Sequence, residues 1–379
     1  MSAALRDGGR PYLPRHALAT LAGAFLASRL IVLVAAIVTE RLIARNPALT
    51  SGSDAPILAS LASWDGWFYL GIAHTGYHAA PVAGSYHDYA FQPLYPAIVA
   101  LLSAPWPGAA DLIAVIISNV AFAIALVLLY HLGRPMLGSR LSASAAALLA
   151  VFPFAAVFAM AYPESLFLAL SVGAFLAAER DRRGVAGVLL ALAALTRLQG
   201  PLLVIPMAVL FLRRDRWRPR ASLAWLLLAP LAAVGFGAYV SALTGDPSAY
   251  ARAFTAWGRT GPTVSPDGGS LGAGIVAGGP ASVILAALLV TLLVAVFLLV
   301  FVRHTNIRLE YGLVAVTYLG AVLASGLLES VGRYVMLAWP YAWILAGRRS
   351  RAFRATWPLL SAGLMGLFSL LIFGGYWVP

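Results

Sequence analysis

The run ALATLAGAFLASRLIVLVAAIV, Ala17–Val38, decides the fold class. It is too long for the apolar core of a signal peptide, carries Arg29, and has no clear small-x-small cleavage site after it, so it reads as a retained first membrane span. Apolar runs of roughly 18 to 22 residues recur along the chain between short Arg-rich breaks, whereas a membrane barrel would show alternating segments of about ten residues. With 61% hydrophobic and 11% charged residues over 379 positions, the composition excludes a soluble domain. The expectation is an all-α polytopic membrane protein forming a single transmembrane domain over residues 1–379.

The distribution of arginine sets the sidedness. All 26 basic residues are Arg and there is no Cys, which rules out disulfide frameworks and thiolate metal sites and points to a high-GC bacterial source, hence a bacterial plasma membrane. Clusters at 6–15, 134–140, 180–183, 213–220, 303–308 and 348–354 should all be cytoplasmic. They fall on one side if Phe91–Trp106 is an outer-surface helix rather than a span. The spans are then roughly 17–38, 111–132, 141–160, 164–178, 184–196, 200–212, 222–243, 281–302, 309–327, 333–346 and 355–376, with the N-terminus cytoplasmic. On this layout 19 Arg and 5 acidic residues lie inside, and 5 Arg and 9 acidic residues outside. The formal charge of +12 is thus topological, and nucleic acid is not an expected partner. Inner connections are too short for a nucleotide-binding domain. Chemistry should therefore sit on the outer segments 39–110 and 244–280, the second of which, with its Gly-rich 268–279, reads as a mobile loop or lid.

Between Gly184 and Leu212 both ends are basic and the run is broken at Gln199-Gly200-Pro201, which predicts a helical hairpin. Arms of about 13 residues reach only about 20 Å, short of a ~30 Å hydrocarbon core. Its tip, carrying Arg197 and Gln199, should line a cavity, because broken backbone at depth needs cover from protein or water.

Asp65, between Trp64 and Gly66-Trp67, follows the first span closely. Apolar neighbours would partly desolvate it and raise its basicity, as a general base requires; equally, it could cap a helix beginning at Gly66. The two readings are compatible. Glu164, after Tyr162-Pro163, suits the first turn of a helix. Arg197 at depth needs an anionic or carbonyl partner, either Glu164 or a phosphate. Arg333-Tyr334 and Arg259 add outer cations suited to forked phosphate contacts. His74 and His78 are four apart on one expected helical face but lack an H-E-x-x-H pattern. With His87, Asp88, Gln92, Trp64 and Trp67 they more readily shape a polar pocket. Arg29, inside the first span, reads as the structural partner of a carboxylate.

The stretches WDGWFYLGIAHTGY (64–77), AFQPLYP (90–96), AYPESLFLALSVGAFLAAERDRRGVAGVLLALAALTRLQGPLLVIP (161–206) and GRYVMLAWP (332–340) resemble, in order, the PIG-V-like mannosyltransferases, within the GT-C membrane glycosyltransferases. The resemblance implies a GT-C fold of about eleven membrane helices and a polyprenyl-phosphate sugar donor used on the extracytoplasmic face. It also implies an acidic residue of the first outer loop as catalytic base, here Asp65, with Glu164, Arg197 and Arg333 following less directly. Phe91-Gln92-Pro93 stands where the family commonly has Phe-Phe-Pro, and Arg197-Leu198 where many relatives have Arg-Pro, which bears on the acceptor: a lipid, a glycan or a peptide. No cofactor is called for; related enzymes can use a divalent metal, but no compelling ligand set is present here. Two rivals remain: a flippase of lipid-linked sugars, against which stands the absence of visible internal repeats, and a non-catalytic subunit that binds membrane lipids.

Overall fold

The computed structural model describes residues 13–43, 56–254, 307–325 and 331–375, and among them the regular elements are helices, with one isolated bridge between Ala83 and Tyr86. In chain order the α-helices are α1 (Arg15–Leu42), α2 (Pro56–Leu61), α3 (Asp65–Thr75), α4 (Leu94–Ser103), α5 (Ala110–Leu137), α6 (Ser139–Ala150), α7 (Glu164–Glu179), α8 (Arg183–Ala194), α9 (Val204–Arg214), α10 (Leu228–Thr244), α11 (Ala249–Ala253), α12 (Leu309–Ser325), α13 (Val331–Leu337), α14 (Pro340–Ala346) and α15 (Arg351–Gly374). Four helical stretches among the described residues are long and apolar enough to cross a membrane: α1, α5, α10 with the 3-10 turn before it, and α15. The expected span 281–302 lies outside the described residues.

Side-chain size governs how these helices meet. On α1 the buried stripe is Ala17, Leu21, Ser28, Val32, Ala35, Ala36 and Thr39, while Leu26, Leu30 and Val34 face outward. Small residues along such a stripe let backbones approach closely, the way helices associate in lipid; α1 packs there against α6 and α15. In contrast, α7 is buried on nearly every side between α5 and α8. An apolar surface all round is what a central helix requires.

Two expected spans are interrupted. The run 141–160 is helical only to Ala150, where Phe152-Pro153 cannot continue the ladder, and residues 152–163 follow as a mostly buried irregular segment with one 3-10 turn at Ala155–Phe158. Its freed backbone groups find partners: Ala161 N–H donates to the Leu61 carbonyl at 2.8 Å, Ser118 Oγ to the Tyr162 carbonyl at 2.9 Å, and Ser165 Oγ to the Phe158 carbonyl at 3.0 Å. Arg29 belongs to this set. Its Nη2 reaches the Phe158 carbonyl at 3.2 Å and its guanidinium sits 4.7 Å from the Phe25 and Phe122 rings, so its partner is a carbonyl rather than the expected carboxylate. The run 333–346 likewise divides into α13 and α14, with Pro340 opening the second helix, the position where its missing N–H costs nothing.

The hairpin forms as the sequence implies, with arms of 12 and 11 residues. The segment expected to lie on the membrane face contains the 10-residue α4, about 15 Å long and too short to cross.

Charge collects at both ends of α7, about 22 Å apart at 1.5 Å per residue. At the Glu179 end, Arg308 Nη1 (2.7 Å), Tyr311 Oη (2.6 Å) and Arg214 Nη1 (3.0 Å) all donate to the Glu179 carboxylate. Arg183 grips Asp215 there with both terminal nitrogens, at 2.5 and 2.7 Å. The Glu164 end holds the candidate site.

Candidate active site

The backbone bends sharply just before Asp65. Trp64 has φ 58° and ψ −125°, a conformation that L side chains rarely adopt. Its indole Nε1–H donates to the Ile372 carbonyl of α15 at 2.8 Å, which fixes the bend. Asp65 then opens α3 as its first helical residue, and its N–H donates to the Tyr162 hydroxyl at 3.1 Å. Asp65 is therefore not the N-cap of a helix starting at Gly66; that position belongs to Trp64, which makes no side-chain cap. The Asp65 carboxylate is left free for a tertiary partner.

That partner is Arg333, whose Nη1 lies 2.6 Å from Asp65 Oδ2. Arg333 Nε is also 3.3 Å from Glu164 Oε1, and Arg197 Nη1 donates to the same Glu164 oxygen. Four groups from four parts of the chain thus form one chain of charge: Asp65, Arg333, Glu164, Arg197. Two aromatic rings flank it. Tyr334 lies 5.4 Å from the Arg197 guanidinium and 5.9 Å from that of Arg333, and Tyr162 lies 5.8 Å from Arg333. Tyr162 is the member that the sequence reading passed over, although it stands inside the quoted AYPES stretch.

Access differs along the row. Glu164 is fully buried, Arg333 and Arg197 are 6% and 7% exposed, and Asp65 is 20% exposed. Burying ions is costly unless each is matched; here two carboxylates balance two guanidiniums. Unmet capacity remains inside, since Glu164 Oε2, Arg197 Nε and Arg333 Nε lack hydrogen-bond partners.

The neighbouring backbone is close-packed for this purpose. A Cβ on Gly200 would lie 2.5 Å from the Ala193 carbonyl oxygen, so glycine lets the hairpin tip close tightly beneath Arg197. A Cβ on Gly332 would lie 2.4 Å from the Phe154 ring, so glycine also lets α13 seat Arg333 against the irregular segment. Gln199 is buried in the hairpin tip beside Arg197.

The other sequence-derived candidates lie in α3 and in the segment between it and α4. Gly76, at φ 75°, ends that helix, so His74 and His78 do not share a helical face. His78 Nδ1 pairs with buried Asp88 Oδ2 at 2.8 Å, and the His78 N–H donates to the same oxygen at 3.0 Å. His87 stacks on Tyr89 at 4.6 Å, Trp67 meets Phe68 edge-on at 4.9 Å, and His74 is exposed. Gln92 is buried and donates to the Tyr250 hydroxyl at 2.6 Å, tying the Phe91-Gln92-Pro93 turn to α11. Arg259 and most of the expected second outer loop lie outside the described residues. No group of three or more His, Asp or Glu among the described residues is placed to hold a metal ion.

Residues 24–210 match the family model described as Mannosyltransferase (PIG-V). No curated protein matches the chain. Among solved structures the chain is similar to the Archaeoglobus fulgidus oligosaccharyltransferase in the apo form, at 13% identity and TM-score 0.53 over 97% of this chain and 56% of that one. It is also similar to the oligosaccharyltransferase AglB of the same organism in complex with an inhibitory peptide and a dolichol-phosphate, at 15% identity and TM-score 0.51 over 95% of this chain and 56% of that one. The chain therefore spans a little over half the length of these GT-C enzymes and shares the fold of that part.

Proposed function

From a chain that belongs over residues 24–210 to the PIG-V mannosyltransferases, we propose a glycosyltransferase that moves a mannosyl or related hexosyl group from a polyprenyl phosphate to an acceptor hydroxyl on the extracytoplasmic face. The observation that carries this reading is the Asp65–Arg333–Glu164–Arg197 row, in which a carboxylate at the accessible end backs onto two buried guanidiniums. A lipid-tethered donor keeps its tail in the bilayer and its phosphate at the boundary, so it needs fixed cations rather than a nucleotide pocket.

The acceptor oxygen attacks the anomeric carbon while its proton passes to Asp65. The bond from that carbon to the phosphate oxygen breaks and its electron pair leaves with the phosphate, which gains one negative charge. Attack opposite the leaving group inverts the anomeric centre. Arg333 and Arg197 stabilise the charge that develops, and in a partly dry site fixed cations are most effective. Glu164 takes no part in bond making. It holds the two guanidiniums in register, which would otherwise repel one another.

Purified protein assayed with a panel of polyprenyl-phosphate sugars tests the reading. Asp65→Asn should lose at least about a hundredfold in transfer rate, the scale of a general base, while still binding the lipid phosphate. Full transfer by that variant removes Asp65 from the chemistry, and a flippase would keep moving lipid with Asn at this position.

A further inference from the structure

Resting on this reading of the site, we infer that the Asp65–Arg333 ion pair is a contact the donor must exchange: the lipid phosphate takes Asp65's place on Arg333, and the same exchange frees the base. In the structure Asp65 Oδ2 accepts from Arg333 Nη1 at 2.6 Å, so that oxygen is occupied by a guanidinium N–H and is not open to an acceptor hydroxyl. Asp65 is also the member of the row able to yield. It is the most exposed of the four and is held through one oxygen, whereas Glu164 is fully buried between both cations.

Charge balance drives the exchange. The row carries two positive and two negative groups, and a phosphodiester brings one further negative charge. Seated beside an Asp65 still bound to Arg333, which also faces Glu164, it would place a third anion on one guanidinium in a partly dry site. Replacing Asp65 keeps the number of anions against Arg333 unchanged. The cycle then resets itself. After transfer Asp65 holds the acceptor's proton and is neutral, so it cannot compete, and the departing phosphate, now more negative, stays on Arg333. Once water takes that proton from the partly exposed Asp65, its carboxylate competes again for Arg333 and displaces the product.

A neutral residue at position 65 should therefore bind lipid phosphate more tightly, not less. Farnesyl phosphate binding to the detergent-purified full chain is the measurement, with farnesol as a control for the tail. Asp65→Asn and Asp65→Ser should each bind farnesyl phosphate about tenfold tighter than the parent, the scale of one charge-assisted hydrogen bond no longer competed for. Adding Arg333→Gln should abolish that gain, and farnesol affinity should not change. Two neutral replacements guard against one failing to fold, with thermal melting and gel filtration as the check. Unchanged or weaker farnesyl phosphate binding in the folded neutral variants overturns the exchange. So does a gain that persists without Arg333. Turnover by the parent chain alongside that result leaves the transferase reading standing, while tighter binding without turnover from any sugar donor overturns the transferase reading and leaves the exchange.

Discussion

At the scale of single residues, Glu164 and Trp64 determine whether the site exists. Glu164 accepts a hydrogen bond from Arg197 through Oε1, which also lies 3.3 Å from Arg333 Nε, at the start of α7, where the helix dipole also favours a negative charge. Removing it strands Arg197 beside an Arg333 that keeps only Asp65. Glu164→Ala should cost roughly 3–5 kcal/mol of stability, the penalty for breaking a buried ion pair from one side, read as a lowered midpoint in detergent unfolding. A loss of only a few tenths would mean that the row is not buried as described. Trp64 matters through its backbone: Trp64→Phe keeps an aromatic ring but deletes the bond to Ile372. About 1 kcal/mol should go with it, together with a fall in transfer rate as Asp65 loses its fixed position. Unchanged rate and stability in Trp64→Phe would show that packing alone holds the bend.

At the scale of elements, the α8–α9 hairpin, with arms of 12 and 11 residues, carries Arg197 at its tip to Glu164. The tip closes only because residue 200 lacks a side chain. Gly200→Ala should push the turn away from Ala193 and Ala194, costing about 1–3 kcal/mol as overpacked sites do, and should weaken lipid phosphate binding by moving Arg197. A variant with parent-like melting and binding would exclude this close contact. The hairpin was legible in the sequence because Arg at both ends and Gln-Gly-Pro in the middle leave little else for so short an apolar run. The break after α6 was not, since Val151–Met160 is as apolar as a span. Only the burial of its backbone partners by Leu61, Ser118 and Ser165 permits the irregular path.

At the scale of the molecule, α7 separates two charge systems of different purpose. At the Glu179 end, ion pairs join the ends of α7 and α9 to the starts of α8 and α12. Arg183 holds the Asp215 carboxyl below its ordinary value. A carboxyl lowered on folding stabilises the fold fully above its unfolded value, and that contribution is lost as pH falls through the folded one. Asp215→Asn should therefore lower the melting midpoint at neutral pH, and the difference from the parent should vanish in strong acid. An equal difference at both pH values rules out this pair as its source. By the positive-inside rule the Glu179 end is expected on the cytoplasmic side. Reporter fusions at Arg182 and at Gly84, in the loop after α3, should accordingly report opposite sides, and the same side for both overturns the layout.

From sequence alone came the membrane class, the hairpin, and the identity of the polar groups too costly to leave unmatched among apolar neighbours, because hydropathy and charge are properties of each residue wherever it lands. Which of those groups meet was decided only by the tertiary structure. Asp65 and Arg333 are 268 positions apart, and no local pattern states their pairing. It exists because Trp64 turns the chain, Gly332 lets α13 approach, and a buried carboxylate at the head of α7 fixes both guanidiniums. From its neighbours Asp65 could serve as a helix cap, as a general base or as both, and packing leaves the N-cap position to Trp64 and sets the Asp65 carboxylate against an arginine from the far end of the chain.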